Sequence, residues 1–379
     1  VVLSGTAVGA FDSKDVASAT KVSFSGLSLT GADAGNYTLT AHADDTAARV
    51  TAKTVTLSAT KTYDGSSGLT GSQVTIGNLV NSETLTYTGA VANSKHVAGA
   101  DGNTATADNF IGAITLANAT DASGGLASNY QLPTLNVANA PATITAKTLT
   151  PTVSNTGVTK VYDGTTAVPD GFTPTYTFSG LIGGDSAAVL TNTGAVYNSA
   201  TVAGANQITV SGLGISSITG TNGSQATDYA LDATSKAVAA SISRATLTVT
   251  ADNKSRIYGD ANPTFSQTIT GYVNGENATS AGVTGSALGS TTATSATDVG
   301  SYTITGSTGT LSAANYSFSA ANGILTIGQR AITLTANNQT KTYGDALVLG
   351  TSAFSLTTGS FATGELATSA LLSSSSGYA

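Results

Sequence analysis

The 379-residue chain is 40% hydrophobic, so it can build cores, yet only 9% charged against a usual ~25%; low charge signals disorder only when hydrophobicity is low as well. It has no Cys, which removes disulfides, thiolate nucleophiles and zinc–thiolate sites together. The net charge is −7 and the 14 Lys and Arg are scattered singly, which excludes a nucleic-acid binder with a clustered basic face, and no apolar run approaches the ~20 residues that span a bilayer.

Taken from the start, "VVLSGTAVGAFDSKDV" shows neither a charged n-region nor an apolar h-region, so no signal peptide is visible and any targeting segment is expected outside this stretch. "KVSFSGLSLTG" (21–31) alternates with period two and holds a Gly where a bulge is expected. "RVTAKTVTLSATKTYDG" (49–65) continues the alternation over a long run, and "NQITVSGLGISSITG" (206–220) is the counterpart of the 21–31 pattern. Gly-, Asn- and Ser-rich turns separate the runs, and no stretch keeps an i, i+3, i+4, i+7 apolar face. The expectation is an all-β fold of small β-sandwich or β-grasp-like domains, with room for a short helix per unit.

Three markers recur in one order. The first centres on Tyr63, Tyr162, Tyr258 and Tyr343, spaced 99, 96 and 85 apart; the second, an Asn/Asp-Tyr pair, on Tyr37, Tyr130, Tyr229 and Tyr316, spaced 93, 99 and 87 apart. The third, at the exit of each unit, carries Lys53, Lys147, Arg244 and Arg330, spaced 94, 97 and 86 apart. The units they define are 1–52 (a C-terminal part), 53–146, 147–243, 244–329 and 330–379 (an N-terminal part). This period exceeds the ~20–50 residues of a solenoid repeat and matches an autonomous domain with its own core. No linker separates the units, so the array is expected to be an elongated rod of order 140 Å, at about 35–40 Å per unit.

The first marker pairs a cation with a tyrosine at i and i+2, one face of a strand: Lys61/Tyr63, Lys160/Tyr162, Arg256/Tyr258 and Lys341/Tyr343. The cation stem can cover apolar surface or lie along the ring. Asp64-Gly65 and Asp163-Gly164 then supply a tight turn tolerant of φ > 0. Gly259-Asp260 and Gly344-Asp345 invert the order, so the turn type should change. The expectation is a strand end pinned by a half-buried tyrosine whose hydroxyl bonds the backbone; tyrosines stacking on sugar rings are the alternative.

These residues carry a resemblance. "KTYDG" and "KVYDG", followed by "GAVANSKHVAG" or "GAVYNSATVAG", an Asn/Asp-Tyr strand and an "A.ITAK" exit, resemble the YDG repeat. "RIYGDANPTF", "GYVNGE", "DVGSYTIT" and "AANYSF" resemble the MBG repeat of the YGX type. Lys14 and Lys95 have no counterpart in "NSATVAG", and the third unit has Asp228 before its marker tyrosine. The resemblance covers essentially the whole chain. It implies a piece of a large bacterial surface adhesin, of the filamentous-haemagglutinin-like kind exported by two-partner secretion, and it assigns no catalytic residue.

Catalytic and metal chemistry has little material. The two histidines, His42 and His96, lie in different units, and His96 stands where the first half-unit has Asp15, as expected of a surface position. The loop 98–108 offers Asp101, Asn103 and Asp108 as oxygen ligands for Ca²⁺, and Asp44 and Asp45 form a similar pair; a solvated loop accounts for either. The sequons at Asn36 and Asn315 fall in the Asn-Tyr marker, where a turn role is expected for the asparagine. The chain is therefore expected to be no enzyme and to need no cofactor. It is expected to be a structural stalk segment that spaces an adhesin tip from the cell surface or contributes to a biofilm matrix. Alternatives are multivalent binding of host or matrix glycans and proteins, or self-association through edge strands that few charges protect.

Overall fold

The computed structural model describes residues 1–40, 44–97 and 109–373. The chain is all-β: the alternating Thr/Val runs form strands, and the helical pieces among the described residues are 3-10 turns of three residues. Three of these, Ala34–Asn36, Ala127–Asn129 and Ala226–Asp228, sit immediately before a marker tyrosine. Each stops there because the tyrosine is extended and its N–H closes the turn on the first carbonyl. Short Asn and Asp side chains favour such turns over a longer helix.

Contacts divide the chain into two compact units. The first comprises Val1–Ser154, Pro174–Gly194 and Val210–Lys236. It opens with the antiparallel hairpin Val2–Phe11/Val22–Thr30, whose register shifts between Gly5 and Val8. Glycine is required at that bulge. Gly5 and Gly26 have φ of 96° and 86°, and a Cβ on either would fall 2.1 or 2.4 Å from a carbonyl oxygen of the opposite strand.

Next in this unit, Thr56–Thr62 buries Leu57, Ala59 and Lys61 and turns its Thr and Ser residues outward. It pairs antiparallel with Val74–Gly77 and parallel with Ala142–Thr145. The same plan recurs in Lys147–Val153, antiparallel to Tyr176–Ser179 and parallel to Tyr229–Leu231. Parallel neighbours need a long crossover, so each period closes on itself only when its last strands meet its first.

The second unit comprises Asn155–Thr173, Ala195–Thr209 and Ala237–Ala379. Ala245–Ala251 pairs antiparallel with Gln267–Thr270 and parallel with Tyr316–Ala321. A second sheet runs Lys254–Ile257, Gly323–Gly328, Gly300–Ser307, Leu288–Ser290. Ala251, Ile304, Leu325 and Ile327 fill the space between these sheets, with Phe265 and Tyr302 against them. Val158–Val161 belongs to another four-stranded sheet, where it runs parallel to Ser235–Ser243.

Apolar packing crosses the joints between periods. In the first unit one cluster joins Tyr63, Ala142 and Ile144 to Leu149, Ala188 and Tyr229, on both sides of the 146/147 joint. In the second, another joins Tyr162, Tyr197, Ile208 and Ile242 to Ala245, Leu247 and Tyr316, on both sides of 243/244. The exit strand of one period runs straight into the entry strand of the next, so no polar linker interrupts the buried face. Leu149 and Leu247 are fully buried there, each contributing about 1.5–3 kcal/mol relative to an exposed side chain.

Candidate functional site at the repeat joints

The recurring motif first organises its own turn. The Lys61 side chain is fully buried, and its ammonium donates to the carbonyls of Ser66 (3.0 Å) and Gly68 (2.8 Å) and pairs with Asp64 (2.8 Å). Asp64 in turn accepts from the Ser66 N–H and hydroxyl. Lys160 repeats this with Asp163 (2.7 Å) and the Thr165 carbonyl (2.9 Å), and adds the face of Tyr197 at 5.4 Å. Burial works against charge at Asp64 and Asp163, but the lysine and the turn donors outweigh it and lower both carboxyls.

Gly65 and Gly164 follow with φ of 83° and 77°. In the inverted motifs the glycine comes first, with φ of 86° at Gly259 and 88° at Gly344. There Asp260 N–H and Asp345 N–H bond the carbonyls of Ile257 and Thr342, so the turn does change type. Arg256, almost fully buried, bonds Asn262 and the carbonyls of Ile257 and Thr294. Lys341 reaches the Asp345 carbonyl at 3.4 Å.

The tyrosines of the first three motifs, Tyr63, Tyr162 and Tyr258, then reach into the next period. Each hydroxyl was expected to bond the backbone; it bonds a side chain across the joint. Tyr63, 1% exposed rather than half-buried, shares a hydrogen bond of 2.6 Å with Ser224. Tyr162 donates to Glu276 at 2.7 Å, and Tyr258 donates to Glu365. The rings meet the marker tyrosines of the following period edge-on: Tyr63 with Tyr229 at 5.7 Å, Tyr162 with Tyr316 at 5.3 Å. Gly65 and Gly164 allow this approach, since a Cβ would fall 2.5 Å from Ile182 or 2.8 Å from Asn274.

Three marker tyrosines bond an acidic residue of their own period. Tyr130 donates to Glu83 (2.7 Å), Tyr229 to Asp185 (2.6 Å) and Tyr316 to Glu276, while their hydroxyls accept from the N–H of Val80, Ile182 and Val273. Glu276 thus serves two rings from two periods. Burial first, then this carboxylate, pushes Tyr162 up to about 12; Tyr229, Tyr130 and Tyr316 are raised for the same reasons. All stay neutral donors across the physiological range. The acidic set was not recognised from the sequence, although Glu83, Asp185, Glu276 and Glu365 recur at spacings of 102, 91 and 89 in Gly/Asn-rich turns.

A loop from the preceding period completes each joint. Val16, Val97 and Val202, each ending a Ser-x-x-Val, donate their N–H to the residue before the next marker tyrosine: Asn129 (2.8 Å), Asp228 (2.9 Å) and Asn315 (3.0 Å). Asn315 therefore serves a joint rather than a turn. In the first joint Asn129 also donates to Asp15 at 2.7 Å. In the second, His96 bonds Asp228 at 2.8 Å and stacks on Tyr63 at 6.5 Å. His96 is thus no surface position; it is held between a buried carboxylate and a buried ring. Lys14 pairs with Glu83 at 3.6 Å and Lys95 donates to the Asn222 carbonyl, so both lysines also reach into the following period.

Tyr37 and Tyr343 are 64% and 92% exposed. Asp44 pairs with Lys21 at 2.7 Å and Asp45 caps the Ala47 N–H. His42 and the loop with Asp101, Asn103 and Asp108 lie outside the described residues. Among the described residues no cluster of three or more His, Cys, Asp or Glu could hold a metal, and no helix is long and apolar enough to cross a membrane. Chemically the joints are hydrogen-bonded clamps of neutral phenols, carboxylates and amides.

The YDG domain family matches residues 1–47 and 145–237, and the MBG domain (YGX type) family matches 247–326. The chain carries tandem YDG and MBG domains. The joint through Tyr162 and Tyr316 sets a YDG match against the MBG match, and the joint through Tyr63 and Tyr229 leads into the second YDG match with the same ring contact. YDG and MBG domains fit an adhesin-like or surface-protein role. No curated protein matches the chain.

Proposed function

We propose that the chain is a structural stalk segment of an extracellular bacterial adhesin, holding a binding tip away from the cell surface or adding to a biofilm matrix. The observation that carries this reading is the joint: a motif tyrosine, an acceptor in the next period and a Ser-x-x-Val amide come together at both the 146/147 and the 243/244 joint. Such joints resist bending, because each loses several buried hydrogen bonds and a ring contact at once if it opens. A spacer needs that property; an isolated binding module does not.

In this reading Tyr63, Tyr130, Tyr162, Tyr229 and Tyr316 are no glycan platform, since all five are buried. His96, engaged in a joint, supports a structural role. Small-angle scattering of the whole chain tests the proposal. A maximum dimension several times that of one ~95-residue domain is expected, whose radius of gyration is about 12–13 Å. A compact particle would sink the spacer reading, and retention of single domains on a glycan array would replace it with multivalent binding.

A further inference from the structure

The first two joints place different chemistry at the same two positions. In each, one oxygen of the marker residue accepts the Val N–H, which fixes that side chain in place: Asn129 Oδ1 from Val16, Asp228 Oδ1 from Val97. The remaining atom then faces the loop residue before the valine. For Asn129 that atom is Nδ2, a donor, and the loop supplies the acceptor Asp15. For Asp228 it is Oδ2, an acceptor, and the loop supplies His96 Nδ1. Donor and acceptor are exchanged on both sides together.

We propose that these two positions form a matching code that decides which repeat can dock on which. The partner selected is the following repeat of this chain. An Asp15-type loop fits a marker with Asn, and a His96-type loop fits a marker with Asp. The wrong pairings are penalised. Asp15 against Asp228 would set two carboxylates face to face at a residue with 0% exposure, and His96 against Asn129 would give up the bond to a carboxylate and fit only in the tautomer whose Nδ1 accepts. Lys95 points elsewhere in this joint, with its ammonium on the Asn222 carbonyl. Arrays of similar domains misassemble by docking a face on the wrong neighbour, and repulsive mismatches are how close alternatives are rejected. The inference does not depend on the stalk reading.

The test is a double-mutant cycle in the full chain with His96→Asp and Asp228→Asn, read as the hydrogen-exchange rate of the Val97 amide. H96D alone should speed exchange by about tenfold or more, because it leaves a buried like-charge pair. In the D228N background the same change should cost less than about threefold, because an Asp–Asn pair of the first-joint kind is restored. Loss of the Gln225 N–H bond to Asp228 and of the His96–Tyr63 stack cancels within the cycle. Equal factors in the two backgrounds would overturn the code. If H96D does not fold, the mirrored cycle serves: Asn129→Asp alone against D15H/N129D, read at the Val16 amide. Faster exchange for N129D with recovery in the double variant supports the code, and no recovery rejects it.

Discussion

The joints around Tyr63 and Tyr162 share one plan and differ in what receives the phenol. At Tyr63 the acceptor is the Ser224 hydroxyl, a neutral partner that can also donate. At Tyr162 it is the Glu276 carboxylate, which also holds Tyr316. The ring-to-ring approach is nearly the same, 5.7 Å and 5.3 Å edge-on. Packing thus sets the joint and hydrogen-bond chemistry tunes it, so removing a ring should hurt both joints alike while removing a hydroxyl should separate them.

The largest expected effect tests the shared part. Tyr63→Ala and Tyr162→Ala should each destabilise their joint by about 3–5 kcal/mol, as for other buried aromatic truncations, measured by urea unfolding. A loss below 1 kcal/mol at either would show that the ring is not what closes it. The difference is sharpened by Tyr162→Phe, which leaves Glu276 short of a donor and should cost about 1.5–3 kcal/mol, the range for bonds to a charged group. Tyr63→Phe removes a neutral bond and should cost only about 0.5–1.5 kcal/mol; equal costs would erase the distinction.

Alkaline titration reads the Tyr162 joint directly. Tyr162 is raised in the folded chain to about 12, above its unfolded value near 10. Between those values the unfolded chain has lost the proton and the folded chain keeps it. The stabilisation is therefore complete below pH ~10 and disappears as pH rises toward 12. Tyrosinate absorbance should show a late-titrating class that shrinks by one group in Tyr162→Phe; an unchanged profile would refute the assignment. The smallest effect is expected at Tyr343→Phe, within about 0.5 kcal/mol, as for an exposed side chain without a special role.

Much of this was legible in the sequence. Period-two alternation foreshadowed the strands, and the Asp-Gly pairs foreshadowed the motif turns at Gly65 and Gly164. The partners of the tyrosines were not legible, because they lie far along the chain: Ser224 is 161 residues from Tyr63 and Glu276 is 114 from Tyr162. Local propensity holds no information about such pairs. The acidic acceptors were hidden differently, since Glu and Asp alternate among turn residues that a strand-based reading treats as punctuation. His96 was misread because its neighbour Asp228, the odd member of the second marker, was noted as a departure and not as a compensating change.

The buried ring of Tyr63 belongs to two periods at once, which bears on how such a gene can change length. A recombination event that removes one whole period brings an equivalent marker tyrosine and its acidic neighbour up to the waiting phenol, and fits where the residue before that tyrosine also matches the waiting loop. A breakpoint displaced by a few codons leaves that phenol facing water and strands an apolar face. Copy-number variation in a chain of this kind is therefore admitted only in integral steps.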